Sequence, residues 1–287
     1  MTKRKDWRRG SSGVKPEEGE GILVDHSPYE VVPRARVGAV EVMALTETEV
    51  AGLVTQGWRD GRGGSIVTAN VDIVRAATRD PGLAALVAEA ELVVADGMPV
   101  VWAARLAGLA LPDRVTGASL VFTLSESAAR EGRSVFLLGG EPGVARTAGE
   151  VLAGRCPGLR VAGSSSPPFG FEREPGGMEE VVREVRAAAP DLVLVGLGFP
   201  KQERVMAALR PELPRAWYLG CGAGIPMAAG HFRRAPRAMQ RAGGEWIFRL
   251  ALEPRRLVRR YLRDDLPFAL RLLAGTAWRR LTADHRP

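Results

Sequence analysis

Several polar residues that could take part in chemistry stand directly after short apolar runs. Asp96 follows one such run and is followed by Gly97. A carboxylate beside a glycine has little steric cover, as a general base requires, but a turn aspartate that caps the next helix would occupy the same position. Thr68 and Asn70 end another run, where they could bind a ligand. Taken alone, they are explained better as caps of the helix that follows.

Two features could hold phosphate groups. Arg114 carries the planar donor fork that suits a phosphate, although an ion pair with Asp113 or another acid would use the same fork. The turn Gly139–Gly143 reads GGEPG and precedes a predicted helix, so its backbone N–H groups are also suited to phosphate. It lacks the Lys-Ser/Thr pair of a Walker loop, and neither it nor the GxGxG segment Gly220–Gly224 meets the dinucleotide-binding fingerprint. A purely structural turn is the alternative at both places.

The sequence offers no set of metal ligands. Its three histidines, His26, His231 and His285, are scattered, and its two cysteines, Cys156 and Cys221, lie far apart and outside any CxxC. It also has no DxD motif, which many sugar-nucleotide enzymes use to hold a divalent metal. We therefore predict no metal site and no cofactor.

The elements that must position these residues alternate between strands and helices. Apolar runs predict strands at Ser65–Thr68, Leu92–Ala95, Ser134–Leu138, Leu159–Ala162, Leu192–Gly196 and Trp217–Leu219. Helical patterns predict helices at Val71–Arg79, Leu83–Glu91, Pro99–Ala107, Ala118–Glu131, Val144–Ala153, Met178–Ala188 and Gln202–Leu209. We predict an α/β fold with a mostly parallel, Rossmann-like sheet flanked by helices, followed by an Arg-rich helical C-terminal appendage.

Parallel strands bring their carboxyl ends to one edge of a sheet, where α/β proteins bind their ligands. Five of the predicted strands end in small or polar residues: Thr68-Ala69-Asn70, Asp96-Gly97, the GGEPG turn, segment 198–203 and segment 220–224. The sequence therefore predicts one long cleft along this edge.

Length and composition divide the chain into three predicted segments. The 287 residues are 46% hydrophobic and 25% charged, which is the balance of a globular protein. Residues 1–35 are polar and aperiodic, which predicts a disordered tail. Residues 36–234 are predicted to form the α/β catalytic domain, and residues 235–287 are predicted to form the appendage.

The longest apolar run has about eight residues, whereas a membrane-spanning helix needs ~20. The basic N-terminus lacks the apolar region of a signal peptide. We expect a cytoplasmic protein.

Charge is concentrated at the two ends. Residues 1–15 carry a net charge of +5, residues 16–230 of −7 and residues 231–287 of +9. In the basic C-terminal segment, apolar residues recur at helical spacing between arginines: Trp246, Leu250, Leu257, Tyr261 and Leu262 among Arg249, Arg255, Arg256, Arg259, Arg260 and Arg263. This pattern favours a helix that lies on an anionic membrane surface over a nucleic-acid binder. A solvated terminal helix that packs on the body is the alternative.

Together, these motifs resemble the WecG/TagA/CpsF family of bacterial glycosyltransferases (glycosyltransferase family 26). The similar pieces lie in the family's order over about residues 40–262: TAN at 68–70, ADGMP at 95–99, RVTG at 114–117, FLLGG at 136–140, GLGFPKQE at 196–203, RAP at 234–236, GEWIFRL at 244–250, EPRR at 253–256 and RRY at 259–261. The resemblance implies transfer of N-acetylmannosamine or a related sugar from a UDP-sugar to a polyprenyl-diphosphate-linked acceptor. It places this reaction at the cytoplasmic face of the membrane, in cell-envelope or exopolysaccharide biosynthesis.

The resemblance also implies roles for individual residues. Asp96 would be the catalytic base, and Thr68, Asn70, Arg114 and Gln202 would line the active site. We add Gly139, Gly140 and Glu203 from the matching motifs to the predicted substrate-binding set. We assign Arg249, Arg255, Arg256, Arg259 and Arg260 to the membrane or the acceptor diphosphate. A single displacement with one carboxylate base implies inversion at the anomeric carbon.

The sequence departs from the family after the last strand. Pro226 stands where the family usually has an aspartate, and proline offers neither a carboxylate nor an N–H group. Because this position is expected near the nucleotide end of the cleft, uridine recognition and the identity of the donor sugar are left open. The sequence also leaves open the acceptor glycan and the oligomeric state, with a second copy of the chain as a candidate partner. Two other functions compete: a nucleotide-binding α/β oxidoreductase, and a non-catalytic membrane-associated protein of polysaccharide assembly.

Overall fold

Six parallel strands form the central sheet of the structure, a computed structural model that describes residues 29, 31–231, 235, 236, 239, 244–252 and 258–283. Their order across the sheet is β4-β3-β8-β7-β5-β6. The strands are β3 (Gly64–Ala69), β4 (Leu92–Ala95), β5 (Ser134–Gly139), β6 (Arg160–Ser165), β7 (Leu192–Gly196) and β8 (Trp217–Gly220). The predicted α/β class with a parallel sheet is confirmed, and each predicted strand is present within three residues at either end.

Helices follow these strands as predicted. They are α2 (Val71–Arg79), α3 (Pro81–Ala88), α4 (Met98–Leu106), α5 (Gly117–Arg130), α6 (Val144–Arg155), α7 (Gly177–Ala188), α8 (Lys201–Leu209) and α9 (Gly224–Ala228). A short 3-10 turn, Phe171–Arg173, precedes α7. The five-residue α9 is the one helix of this set that the sequence pattern did not predict.

Both faces of the sheet are covered. In β7, Leu192 and Leu194 pack on the side of α5, α6 and α9, while Val193 and Val195 pack on the opposite side. The side chains of a strand alternate between the two faces of the sheet, so a strand with helices on both sides is apolar at every position. This burial explains the continuous apolar run of β7 in the sequence.

A hairpin and a helix that the sequence pattern did not predict precede β3. Strands β1 (Arg34–Val37) and β2 (Val40–Met43) pair antiparallel, and α1 (Glu47–Arg59) follows. Tyr29 is also buried, with its ring edge-on to Trp217 at a centroid distance of 6.1 Å. Tyr29 and the start of β1 lie within the predicted tail of residues 1–35, so packed structure begins before the predicted boundary at residue 36. Residues 1–28 and 30 lie outside the described part.

The C-terminal helices include one that packs against the sheet domain. Helix α10 (Glu245–Leu252) is followed by a π-helical turn, Arg259–Asp265, which continues into α11 (Leu266–Ala283). Helix α11 contacts α4 and α2 and buries Leu272 in the same core as the hairpin. Packing on the body, one of the two interpretations of the appendage, therefore describes α11.

Most of the predicted membrane arginines lie beyond what the structure describes. Arg255 and Arg256 fall outside the described residues, and for Arg249, Arg259 and Arg260 only the backbone is described. Among the described helices, none combines the length and the apolar character needed to cross a bilayer.

Candidate active site

Asp96 and Asn70 lie side by side at the carboxyl edge of the sheet. They follow β4 and β3, which are neighbours with Ala95 in register with Ala69, and the backbone N–H of Asp96 donates to the Ala69 carbonyl at 2.9 Å. The next helix, α4, has Gly97 as its N-cap residue and no side-chain cap. Asp96 directly precedes this cap and is half-buried.

Asn70 has a structural role in the described contacts. Its side-chain oxygen accepts a hydrogen bond from the Ile73 N–H at 3.1 Å and so caps α2, as the sequence suggested. The cap occupies the oxygen of the amide, so the NH₂ end is the part that a ligand would use. The same side chain can therefore fix α2 and donate toward the neighbouring Asp96.

The loop that carries Arg114 is tied to the end of β4. The N–H of Val115 donates to the Ala95 carbonyl at 2.9 Å. Arg114, which is half-buried, directly precedes Val115, and Asp96 directly follows Ala95, so the hydrogen bond holds the two residues near each other. The Asp113 carboxylate accepts the backbone N–H of Arg114 at 2.7 Å. The guanidinium of Arg114 is thus carried by a fixed loop at the same edge as Asp96.

Thr68 and Gly117 lie where the ends of β3 and β8 meet the start of α5. The Thr68 hydroxyl donates to the Gly220 carbonyl on β8 at 3.2 Å, and the side chain is buried. A Cβ on Gly117, at the start of α5, would lie 2.9 Å from the Cα of Cys221. The described contact of Thr68 therefore joins β3 to β8 where α5 approaches, rather than capping α2.

Gly139 requires glycine for two reasons. Its φ is +121°, which other residues rarely adopt, and a Cβ there would lie 2.5 Å from the Gly196 carbonyl oxygen on β7. Gly140 continues the turn with a φ of +82°. Helix α6 then begins at Val144 without a side-chain cap, and the Val144 N–H donates to the Glu141 carbonyl at 3.0 Å. The N–H groups that follow in the first turn are the ones that an anion could use.

Gln202 joins the loops after β7 and β8. Its side-chain oxygen accepts the N–H of Gly198 and the N–H of Gly222, both at 3.2 Å, and its NH₂ group donates to the carboxylate of Glu203 at 2.9 Å. The side chain is buried, and a Cβ on Gly220 would lie 2.7 Å from its nitrogen. Gln202 thus sets the spacing of two loops at the centre of the edge.

Glu203 is a buried acid beneath these loops. Only 2% of the residue is exposed, and among the described residues its second carboxylate oxygen has no hydrogen-bond partner. Burial raises the pKa of Glu203 to about 7, because the charged form loses its hydration, while the hydrogen bond from Gln202 acts in the opposite direction. Direct contact of Gln202 and Glu203 with substrate stays a prediction.

The Asp96 carboxylate, the Arg114 loop and the glycine turns thus lie along one edge of the sheet. Comparison with protein families shows which family has this fold. A family model described as "Glycosyl transferase WecG/TagA/CpsF family" matches residues 35–282. The chain belongs to this family. The match covers the hairpin, the sheet domain and α11 together, and it confirms the family that the sequence motifs resemble.

Pro226 is the predicted departure from the family pattern. Pro226 lies in α9, half-buried, just after β8. Helix α9 packs on α5 and α6, which begin at the same edge as the RVTG and GGEPG segments. The departure thus falls beside the predicted cleft rather than at Asp96.

Lys201 is one residue at this edge of the sheet that the sequence analysis did not select as a site residue. Lys201 is ion-paired with Glu172 at 3.1 Å, and its amino group lies over the rings of Phe169 and Phe171 at 5.2 and 5.5 Å from their centroids. The signal in the sequence is the pair of phenylalanines in the Pro- and Gly-rich segment after β6.

Across the described ranges, no group of three or more His, Cys, Asp or Glu side chains could hold a metal ion.

Proposed function

We propose that this glycosyltransferase transfers an N-acetylmannosamine-type sugar from a UDP-sugar to a polyprenyl-diphosphate-linked acceptor, with inversion. The reaction would serve cell-envelope or exopolysaccharide biosynthesis at the cytoplasmic face of the membrane, with the catalytic machinery in residues 36–234. One observation carries the proposal: in a chain of this family, Asp96 stands at the carboxyl edge of the sheet, beside Asn70 and the Arg114 loop.

Asp96 would act as the general base. Its carboxylate accepts the proton of the acceptor hydroxyl while the hydroxyl oxygen bonds to the anomeric carbon of the donor. The bond between this carbon and the diphosphate oxygen breaks on the opposite side, and its electron pair leaves with UDP. One displacement from the opposite face inverts the anomeric configuration.

Arg114 would stabilise the departing diphosphate. Its fork can donate two parallel hydrogen bonds to phosphate oxygens, and the Val115–Ala95 hydrogen bond holds its loop at the strand end. Preorganised donors of this kind act where charge develops in the transition state. Because the sequence has no DxD motif, we propose that arginine and backbone N–H groups replace a metal ion.

UDP release from a panel of UDP-sugars, with a short-chain polyprenyl-diphosphate GlcNAc acceptor, tests the function. We expect release with an N-acetylmannosamine-type donor, and we expect it to persist in EDTA. Arg114→Lys should lower turnover, since lysine keeps the charge and loses the fork. Dependence on Mg²⁺ or Mn²⁺ would contradict the metal-free mechanism, and no release with any donor would contradict the function.

A lipid-linked acceptor requires contact with the membrane, and α11 carries a suitable surface. On the side of α11 away from its buried residues, Leu266, Leu270, Trp278 and Leu281 are 45–69% exposed. We call these four residues the α11 stripe. Exposed arginines lie near it at positions 263, 271 and 279. An apolar stripe with flanking arginines suits the interface of an anionic bilayer. This stripe supports α11 as the proposed membrane contact, C-terminal to most of the residues that the sequence pattern indicated.

Sedimentation with vesicles tests the α11 stripe. The double variant Trp278→Ser, Leu281→Ser should weaken binding to anionic vesicles at least several-fold, because both side chains are mostly exposed and contribute burial only on the membrane. Phe169→Ala, which removes an even more exposed aromatic ring outside α11, is the control and should bind as the wild type does. Binding should also fall with salt. Equal binding by both variants and the wild type, or indifference to anionic lipid, would contradict the membrane role.

A further inference from the structure

Helix α4 carries an apolar stripe that begins beside Asp96. Met98, Trp102 and Leu106 are spaced four residues apart, so they lie along one side of the helix. Met98 is half-buried against the core, whereas Trp102 and Leu106 are 45% and 37% exposed. We call these three residues the α4 stripe. Two large apolar side chains on one side of a short helix form a surface that could bind a further apolar group.

The first residue of the α4 stripe is fixed next to the proposed base. Only Gly97, the N-cap residue of α4, separates Met98 from Asp96. The Gly97 carbonyl accepts the N–H of Val101 at 3.3 Å, which begins the helix at this point. At 1.5 Å per residue, the stripe then extends roughly 12 Å to Leu106.

The far end of the α4 stripe lies next to α11. Nη1 of Arg280 donates to the carbonyls of Arg105 and Leu106, at 3.3 and 3.2 Å. These bonds hold the last turn of α11 against the last turn of α4. Trp278 and Leu281, the two most exposed members of the α11 stripe, lie within two residues of Arg280. The α4 stripe therefore leads from the proposed base to the surface that we propose to lie on the membrane.

The one charged side chain of α4 is bound to backbone. The nine residues of α4 include a single charged residue, Arg105. Its guanidinium donates to the Leu111 carbonyl at 3.0 and 2.9 Å and to the Pro112 carbonyl at 3.1 Å. These bonds hold the loop that continues to Arg114 against the helix. The charge of Arg105 is thus directed to its own loop, and the rest of the exposed side of α4 is uncharged.

We propose that the α4 stripe binds the hydrocarbon chain of the lipid-linked acceptor, between the membrane at α11 and the acceptor sugar at Asp96. This inference rests on the proposed function and deepens it, because it assigns the acceptor chain to residues outside the arginine-rich segment. A polyprenyl chain is uncharged and flexible, so it can follow an exposed apolar stripe and remove it from water without a preformed pocket. Because the stripe begins two residues from Asp96, a single chain that continues from the bound sugar fits it better than the flat surface of a bilayer does.

Acceptors of two chain lengths test the α4 stripe without a membrane. kcat/KM is measured in the absence of vesicles for a polyprenyl-diphosphate GlcNAc whose chain is shorter than the stripe and for one whose chain spans it. We expect the wild type to prefer the longer chain. The double variant Trp102→Ser, Leu106→Ser should lower the ratio of the two kcat/KM values about tenfold, the effect of losing the burial of one large apolar side chain. The loss should appear in the KM for the longer acceptor, and the KM for the UDP-sugar should stay the same.

Two further variants serve as controls. Trp278→Ser, Leu281→Ser makes the same two substitutions on the α11 stripe, so it should weaken vesicle binding and keep the wild-type chain-length ratio. Trp102→Phe keeps an apolar ring on α4 and should keep most of the preference for the longer chain. Thermal unfolding of each variant shows whether the fold is kept.

The possible outcomes separate this inference from the proposed function. If the wild type turns over both acceptors without a chain-length preference, or if the α4 variant keeps the wild-type ratio, the α4 proposal is wrong and the function stands. Weaker vesicle binding of the α4 variant with an unchanged ratio would assign the stripe to the bilayer, and a smaller molecular mass in solution with an unchanged ratio would assign it to a second copy of the chain. Either result overturns the proposal. If the wild type releases no UDP with either acceptor, the proposed function fails together with this inference.

Discussion

Asp96→Asn should lower the rate of sugar transfer by about 10²–10⁴-fold, the contribution of a general base. The substitution keeps the volume of the side chain and removes its basicity, so the fold and UDP affinity should stay near those of the wild type. Single-turnover assays with saturating acceptor measure the chemical step directly. Thermal unfolding and UDP titration of the same preparation show whether structure and binding are kept.

The control for this variant is Glu150→Gln, which neutralises an exposed carboxylate on α6. It makes the same chemical change away from the strand end and should leave the rate unchanged. Near wild-type turnover of Asp96→Asn would remove Asp96 from the mechanism. Loss of UDP binding along with turnover would show that the carboxylate serves the donor site rather than proton transfer.

Glu203→Gln should remove a large pH dependence of stability. Burial raises the pKa of Glu203 from 4.5 to about 7, so the folded protein holds this proton more tightly than the unfolded chain does. The stabilisation is fully present below pH ~4.5 and is lost as the pH rises through about 7. At 1.36 kcal/mol per pKa unit, the free energy of unfolding should fall by about 3 kcal/mol over this range.

Urea unfolding of wild type and Glu203→Gln between pH 4.5 and 8 measures this difference. Glutamine keeps an acceptor for the Gln202 NH₂ group and cannot ionise, so the variant should lack this fall in stability. Glu89 and Arg210, charged residues that line the same small cavity, are unchanged in both proteins. Glu150→Gln should retain the wild-type pH dependence. Parallel curves for wild type and Glu203→Gln would show that Glu203 titrates normally.

The apolar runs in the sequence predicted the central sheet well because its strands are buried on both faces. The run Leu192–Gly196 can be apolar at every position only if helices cover both sides, so the sequence itself indicates a parallel α/β sheet. The hairpin β1–β2 was missed for the opposite reason. Its strands have four residues each, and their apolar positions become a core only when they meet distant elements such as α11.

The sequence alone determined which residue types follow each strand: an aspartate before glycine, an arginine loop, glycine turns and the PKQE segment. The tertiary structure decided which of these are neighbours and which are buried. Strand order places Asp96 beside Asn70, the fold uses Gln202 to join two loops, and a loop from β6 brings Phe169 over Lys201. The physical reason is that periodicity reports the local exposure of each face, whereas strand order and hydrogen-bond partners depend on segments far apart in the chain.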